Sequence, residues 1–220
     1  MATRDFVHIK ARDGHAFAVH VTRPAGKGPW PAVVLVHGGP FMRGGSWHWD
    51  AESQFLASRG YIVVEPEFRD STGFGDKLFR AGWKQWGLAD GKRVCIAGAS
   101  YGGYATLMGL IREPDLYRCG VAWAAVTDIG LLYSPTWGDL SEVWKQYGMP
   151  VLVGDPEKDA AQFDATSPLK QADRVTQPLL LAFGGTDRRV PMTHGTRFRD
   201  AVRKTNSQVE WIEYADEGHG

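Results

Sequence analysis

The 220-residue chain has no surplus of charge of either sign: 25 Lys and Arg stand against 25 Asp and Glu. It therefore lacks the basic excess that holds a nucleic-acid backbone, and it has no acidic tail. Long apolar runs are missing as well. The stretches at 32–36 and 121–126 fall far short of the ~20 residues that span a bilayer. Cysteine is scarce, with only Cys95 and Cys119. Two cysteines cannot build a multi-bridge scaffold, and without CxxC spacing they offer no metal pattern. Both lie in apolar, strand-like runs and read as buried thiols. Residues 1–15 carry Arg4, Asp5 and Lys10 around no apolar centre, so no secretory signal is expected and the expected location is cytoplasmic. What remains is 43% hydrophobic and 23% charged. That is a globular composition, long enough for one well-buried core.

The order of segments sets the fold class. Runs at 6–11 and 16–22 flank Asp13-Gly14, a hairpin signal. Residues 31–37 (PAVVLVH) form a continuous apolar run of the kind buried on both sheet faces. Further strands are expected at 61–68, 93–98, 120–126, 179–183 and 209–214. Helical spacing falls between them at 50–59, 74–86, 101–112, 140–147 and 193–204. Alternation of strand and helix predicts one α/β domain over residues 1–220, with a mostly parallel central sheet and helices on both faces. The 27 glycines gather at the ends of the apolar runs. In such sheets the working residues collect at the carboxyl ends of strands.

Gly98-Ala99-Ser100-Tyr101-Gly102 ends one such strand and opens an apolar helix. That G-x-S-x-G pattern, in a strand–turn–helix context, presents a serine hydroxyl above a sheet. The flanking glycines suit a turn too sharp for side chains, and the helix N-terminus favours the charge of an oxyanion. A serine hydroxyl needs a base to become a nucleophile. Asp187 follows the strand at 179–183, and His219 follows the strand at 209–214. Ser100, Asp187 and His219 thus stand in the order nucleophile, acid, base, each at its own strand end. His194 also follows Asp187 but opens a helix, so it reads as a surface or capping residue. His37 reads as a brace for its glycine loop, and Asp128 as a turn or cap residue.

His37-Gly38-Gly39-Pro40 ends an early strand. A tetrahedral intermediate needs N–H donors aimed at its oxygen. One is expected from Tyr101, the residue after the nucleophile. Pro40 has no N–H, so the second is expected from Gly39, with Gly38 in reserve.

Together HGGP (37–40), FRDSTGFG (68–75), GASYGGY (98–104), GGTDRRVP (184–191) and EGHG (217–220) resemble the catalytic domain of the prolyl oligopeptidase family of serine peptidases. The acylaminoacyl and dipeptidyl peptidases are its nearest-looking members. The resemblance runs over nearly the whole chain. It implies an α/β-hydrolase fold and cleavage of peptide or acyl-amino-acid bonds through an acyl-enzyme on Ser100, a mechanism that needs no cofactor or metal. It also implies Asp187 as orienting acid and His219 as base.

Three departures accompany it. No β-propeller is expected ahead of the domain. Residues 88–92 join Trp86-Gly87 almost directly to the nucleophile strand, where the family places a covering helix. The final helix that follows EGHG in the family is expected to be missing. Part of one sheet face is therefore expected to be uncovered and apolar, with self-association into a homo-oligomer as one remedy. His219, next to the last residue given, is expected to be loosely held. On the substrate side, Arg69, Tyr104 and Trp123 are candidate binding residues, with a structural salt bridge as the alternative for Arg69. Trp47, Trp49, Trp137 and Trp144 are further candidates to line an apolar pocket. A carboxylesterase using the same three residues, and a catalytically impaired fragment of a longer peptidase, are the rival readings.

Overall fold

Gly14, at φ +80°, turns the chain where Asp13-Gly14 predicts it, and the hairpin β1 (Thr3–Lys10) and β2 (Ala16–Arg23) pairs antiparallel through it. This hairpin edges the sheet of a computed structural model that describes residues 2–11, 13–45, 48–81, 94–134 and 141–219. The remaining strands are β3 (Ala32–Val36), β4 (Ile62–Pro66), β5 (Val94–Ala99), β6 (Tyr117–Trp123), β7 (Leu179–Gly184) and β8 (Val209–Tyr214). Their spatial order is β1-β2-β4-β3-β5-β6-β7-β8. From β4 to β8 every pairing is parallel. The helices are α1 (Ala51–Ser58), α2 (Asp76–Arg80), α3 (Tyr101–Arg112), α4 (Met149–Leu152), α5 (Ala160–Thr166) and α6 (Met192–Val202).

The handedness of the connections decides which face each helix covers. Crossovers between parallel strands are right-handed. The step from β3 to β4 runs toward the hairpin edge, and every later step runs the other way. Opposite directions of travel put the crossovers on opposite faces. Accordingly α1 lays Leu56 against a small cluster of Val33, Leu35, Val63 and Ala97. On the other face, α3 and α6 bury Tyr104, Leu107, Leu110, Ile111, Phe198 and Val202 against Ile96, Ala122, Leu181 and Phe183. Each fully buried Leu or Phe there contributes roughly 1.5–3 kcal/mol relative to exposure. Over β6–β8 the α1 face is thinly covered: Val121 and Trp123 are half-buried, while Ile212 is 38% and Tyr214 53% exposed. The expected apolar, partly uncovered face is found there.

Two expectations need correction, and others lie outside the described residues. Cys95 and Cys119 are not free thiols but a disulfide, with Cα atoms 4.8 Å apart. They lie on neighbouring strands β5 and β6, at an irregularity in the register between Val94 and Ile96. With the thiols paired, the cysteines no longer argue for a cytoplasmic location. The helix expected over 140–147 runs on instead, as a π-helical turn Trp144–Gly148 that leads into α4. The helix expected over 74–86 is described only as α2. Its remainder, with Trp86, Gly87 and the short connection 88–92, lies outside the described residues, as do Trp47 and Trp137. Helix α5 and the 3₁₀ turns Pro168–Arg174 give no periodic signal because each is too short to repeat an apolar face.

Candidate active site

The nucleophile turn is built by glycines that cannot be anything else. A Cβ on Gly102 would stand 2.0 Å from the Val36 carbonyl oxygen, and one on Gly98 2.5 Å from the Gly102 carbonyl carbon. A Cβ on Gly103 would meet the Ala125 methyl at 2.7 Å. Strand β5 and helix α3 can therefore touch backbone to backbone, and Ser100 is forced into the corner between them. Its φ of 57° and ψ of −118° put a non-glycine residue in sparsely populated space, a strain the surroundings must hold. They do: the Ser100 N–H donates to Trp123 O at 3.0 Å, and Ser100 O accepts from Tyr104 N–H at 3.0 Å.

The glycine loop after β3 passes beside this corner. A Cβ on Gly38 would lie 3.5 Å from the Ser100 Cβ. Gly39 sits at φ +125°, a conformation that favours glycine. His37 fixes the loop from within. Its Nδ1–H donates to Gly38 O at 2.7 Å, which leaves Nε2 to accept from the Ser71 hydroxyl at 3.0 Å. In a trans peptide the C=O and the following N–H point in opposite directions. Holding the Gly38 carbonyl toward His37 thus turns the Gly39 N–H the other way. Burial pushes the His37 imidazole below its usual range, against the pull of its bond to Gly38 and of nearby Glu67. Glu67, itself buried, accepts the backbone N–H groups of Gly44 and Gly45. Neither Glu67 nor Ser71 stands out in the sequence. Both lie in the FRDSTG neighbourhood, whose approach to His37 depends on β3–β4 pairing.

Beyond the ends of β7 and β8, His219 and Asp187 meet. The His219 Nδ1–H donates to Asp187 Oδ2 at 2.8 Å, leaving Nε2 as the basic nitrogen. The other carboxylate oxygen, Oδ1, accepts the N–H groups of Arg189 and Val190, each at 2.8 Å. Burial pushes the Asp187 carboxyl up. The bonds from His219, Val190 and Arg189 outweigh that and hold it below the ordinary carboxylate range. The acid is thus an anion aimed at the imidazole. Ser100, Asp187 and His219 follow β5, β7 and β8 at one carboxyl edge of the sheet.

His194 corrects an expectation. It is not a surface residue but 2% exposed. Its Nδ1 accepts the Thr127 N–H at 3.1 Å. Burial, helped by Arg197 and opposed by Asp187, pushes it down to about 4. A ring that stays neutral and bonded inside the fold is no rival to His219 as base. Asp128 does take its expected turn role, accepting the Gly130 N–H at 2.9 Å.

The candidate substrate residues separate. Tyr104 is 0% exposed and belongs to the core beneath the nucleophile turn. Its place, three residues before Leu107 and seven before Ile111, puts it on the buried stripe of α3. Arg69 forms an ion pair with Asp13 of the hairpin turn, which is the structural alternative. Trp123 lines a cavity of about 260 Å³ beside His37, Gly38 and Ala99. Trp49 is 75% and Trp144 42% exposed. Among the described residues, no group of three or more His, Cys, Asp or Glu could hold a metal ion, and no helix is long and apolar enough to cross a membrane.

A serine on a strained strand-to-helix turn, an ordered acid and imidazole, and a mostly parallel eight-stranded sheet define an α/β-hydrolase. The profile of the Prolyl oligopeptidase family matches residues 47–90 and 87–220. The chain belongs to that family. It is 35% identical to dipeptidyl aminopeptidase BIII of Pseudoxanthomonas mexicana, covering 97% of this chain and 35% of that protein. A puromycin-hydrolyzing peptidase of Mycobacterium tuberculosis superposes with a TM-score of 0.87 at 26% identity, over 100% of this chain and 36% of that one. Acylaminoacyl peptidase of Pyrococcus horikoshii shares the fold, with a TM-score of 0.86 at 23% identity over 100% of this chain and 38% of that one. The chain thus spans about a third of the length of the relatives it matches. The pairing with dipeptidyl aminopeptidase BIII extends over 246 residues, more than this chain contains, so the relative carries inserted residues. The family match falls in two parts that overlap at 87–90.

Proposed function

We propose that this chain is the hydrolytic unit of a serine peptidase that cleaves peptide or acyl-amino-acid bonds through an acyl-enzyme on Ser100. His219 Nε2 takes the Ser100 hydroxyl proton as Oγ attacks the substrate carbonyl carbon. Asp187 holds the imidazole in the required tautomer and stabilises its protonated form. The Gly39 and Tyr101 N–H groups receive the developing oxyanion, the kind of interaction whose loss costs roughly 10²–10³ in rate. The tetrahedral intermediate collapses, and the leaving amine departs with the proton from His219. Water, deprotonated by the same nitrogen, then attacks the acyl-enzyme and frees Ser100.

The observation that carries this reading is the 2.8 Å bond from His219 to a carboxylate held by two backbone N–H groups, at the sheet edge that also bears a strained serine. Labelling with a fluorophosphonate tests it. Folded protein should gain one adduct at Ser100, and Ser100→Ala should gain none. Folded protein that resists the reagent overturns the reading. Parallel rates on an acyl-amino-acid anilide and a p-nitrophenyl ester then separate peptidase from esterase preference.

A further inference from the structure

Residues 212–218 are all exposed, so packing does not place the segment that delivers His219. Its position comes from the loop that carries the acid. The Gly185 N–H donates to Tyr214 O at 2.9 Å, and the Thr186 N–H donates to Glu217 O at 3.0 Å. The Thr186 hydroxyl donates to the same Glu217 oxygen at 2.9 Å. Gly184 and Gly185 allow this approach, because a Cβ on Gly184 would stand 2.4 Å from the carbonyl oxygens of Glu217 and Gly218. Thr186 therefore places two donors on one carbonyl, two residues before His219 and one residue before Asp187.

We propose that Thr186 is a positioning residue: its hydroxyl pins the Glu217 carbonyl and so sets the His219 imidazole relative to Asp187 and Ser100. The inference rests on His219 being the base. It adds that the base is registered by a side chain outside the three catalytic groups. The backbone bond from Thr186 needs only its N–H, which every residue but proline keeps, so the hydroxyl can be removed alone. Thr186→Val keeps the branched shape and removes the donor, and Thr186→Ser restores it. Thr186 is exposed, so neither change disturbs the core.

The test pairs amide hydrogen exchange with fluorophosphonate labelling on the full chain. In Thr186→Val, exchange should rise in peptides spanning 215–219 and stay unchanged over α3. The labelling rate should fall about five-fold, the scale of one hydrogen bond and of a small misplacement of a catalytic group. The thermal midpoint should not move, and Thr186→Ser should behave as the parent. Unchanged exchange at 215–219 in Thr186→Val, or a Thr186→Ser variant as impaired as Thr186→Val, overturns the proposal. If the parent chain is never labelled while exchange still rises at 215–219, the pin stands and the hydrolase reading falls.

Discussion

The two halves of the candidate site are held in place by different forces. Around Ser100 the hold is steric and covalent. Backbone meets backbone at Gly98, Gly102 and Gly103, and the Cys95–Cys119 bond closes a loop over a sequence separation of 24 that contains the whole turn and α3. Around His219 the hold is polar. An exposed segment is tied to the acid loop by hydrogen bonds, and a buried neutral imidazole, His194, lies within electrostatic reach of Asp187. Steric contacts resist any added atom and are indifferent to pH. Polar ties tolerate added atoms in open directions, and those made by Asp187, His219 and His194 depend on charge state. The nucleophile's region should therefore break under substitution or reduction, and the base's region under acid.

Gly102→Ala should have the largest effect. Its methyl would stand 2.0 Å from the Val36 carbonyl oxygen, a backbone atom that can retreat only by separating β3 from α3. Overpacking of this kind costs about 3 kcal/mol or more, which for a chain of this size lowers the thermal midpoint by roughly 6–12 °C. Calorimetry checks this; a midpoint within 2 °C of the parent, a margin set against that expected shift, would mean that α3 is not pressed against the strand.

Reduction of Cys95–Cys119 ranks next. By the loop-entropy relation a bridge of this span stabilises by about 3.5 kcal/mol. Dithiothreitol should lower the midpoint by several degrees in the parent and leave a Cys95→Ser/Cys119→Ser protein unmoved. The size of the loss shows how much of the nucleophile region's rigidity is covalent.

Acid probes the other half. The His194 ring is near pH 6.5 when unfolded and is pushed down to about 4 in the fold, chiefly by burial. The neutral ring's contribution is thus whole above the unfolded value and is lost as pH falls toward 4. The loss is of order 3 kcal/mol. Asp187, held below the usual carboxylate range, loses its contribution only as pH falls further, through its own folded value. Unfolding followed from pH 7 to pH 4 should therefore show a decline that His194→Gln flattens. A parent curve flat over that window would show the ring to be better solvated than its 2% exposure implies.

How far the sequence foretells this division depends on the kind of contact. Strands β3 and β7 are continuous apolar runs and could be read directly; β8 is interrupted by Glu210 and Glu213 and reads as a strand from its Val, Ile and aromatic residues. Ser100, Asp187 and His219 could be placed because each follows a strand in the order the chemistry needs. Contacts that depend on register could not. Cys95 faces Cys119 only once β5 and β6 are aligned with their irregularity. Thr186 reaches Glu217 only once β7 lies beside β8. His194 looks peripheral at the start of a helix, yet the N-terminus of α6 is turned inward over Thr127. Tyr104 shows the opposite failure. Its helical period marks it as core, and proximity to Ser100 along the chain was the weaker guide.

The smallest effect should come from Gly218→Ala. Gly218 adjoins His219, so a reading by sequence neighbourhood expects damage equal to that at Gly102. The geometry says otherwise. A Cβ there would meet nothing within 4 Å, and the backbone is not in the left-handed region. Alanine also restricts the unfolded chain, which offsets about 0.5 kcal/mol or more in favour of the fold. Stability should match the parent's or exceed it by up to about 1 kcal/mol, and the fluorophosphonate rate should stay within roughly two-fold. Gly184→Ala is the control on the same segment: its methyl would push the Glu217 and Gly218 carbonyls from 2.4 Å, and a displacement near an ångström costs about 10²-fold in rate. If Gly218→Ala slows labelling as much as Gly184→Ala does, the segment is fixed by its own backbone as tightly as the nucleophile turn, and the contrast between the two halves of the site fails.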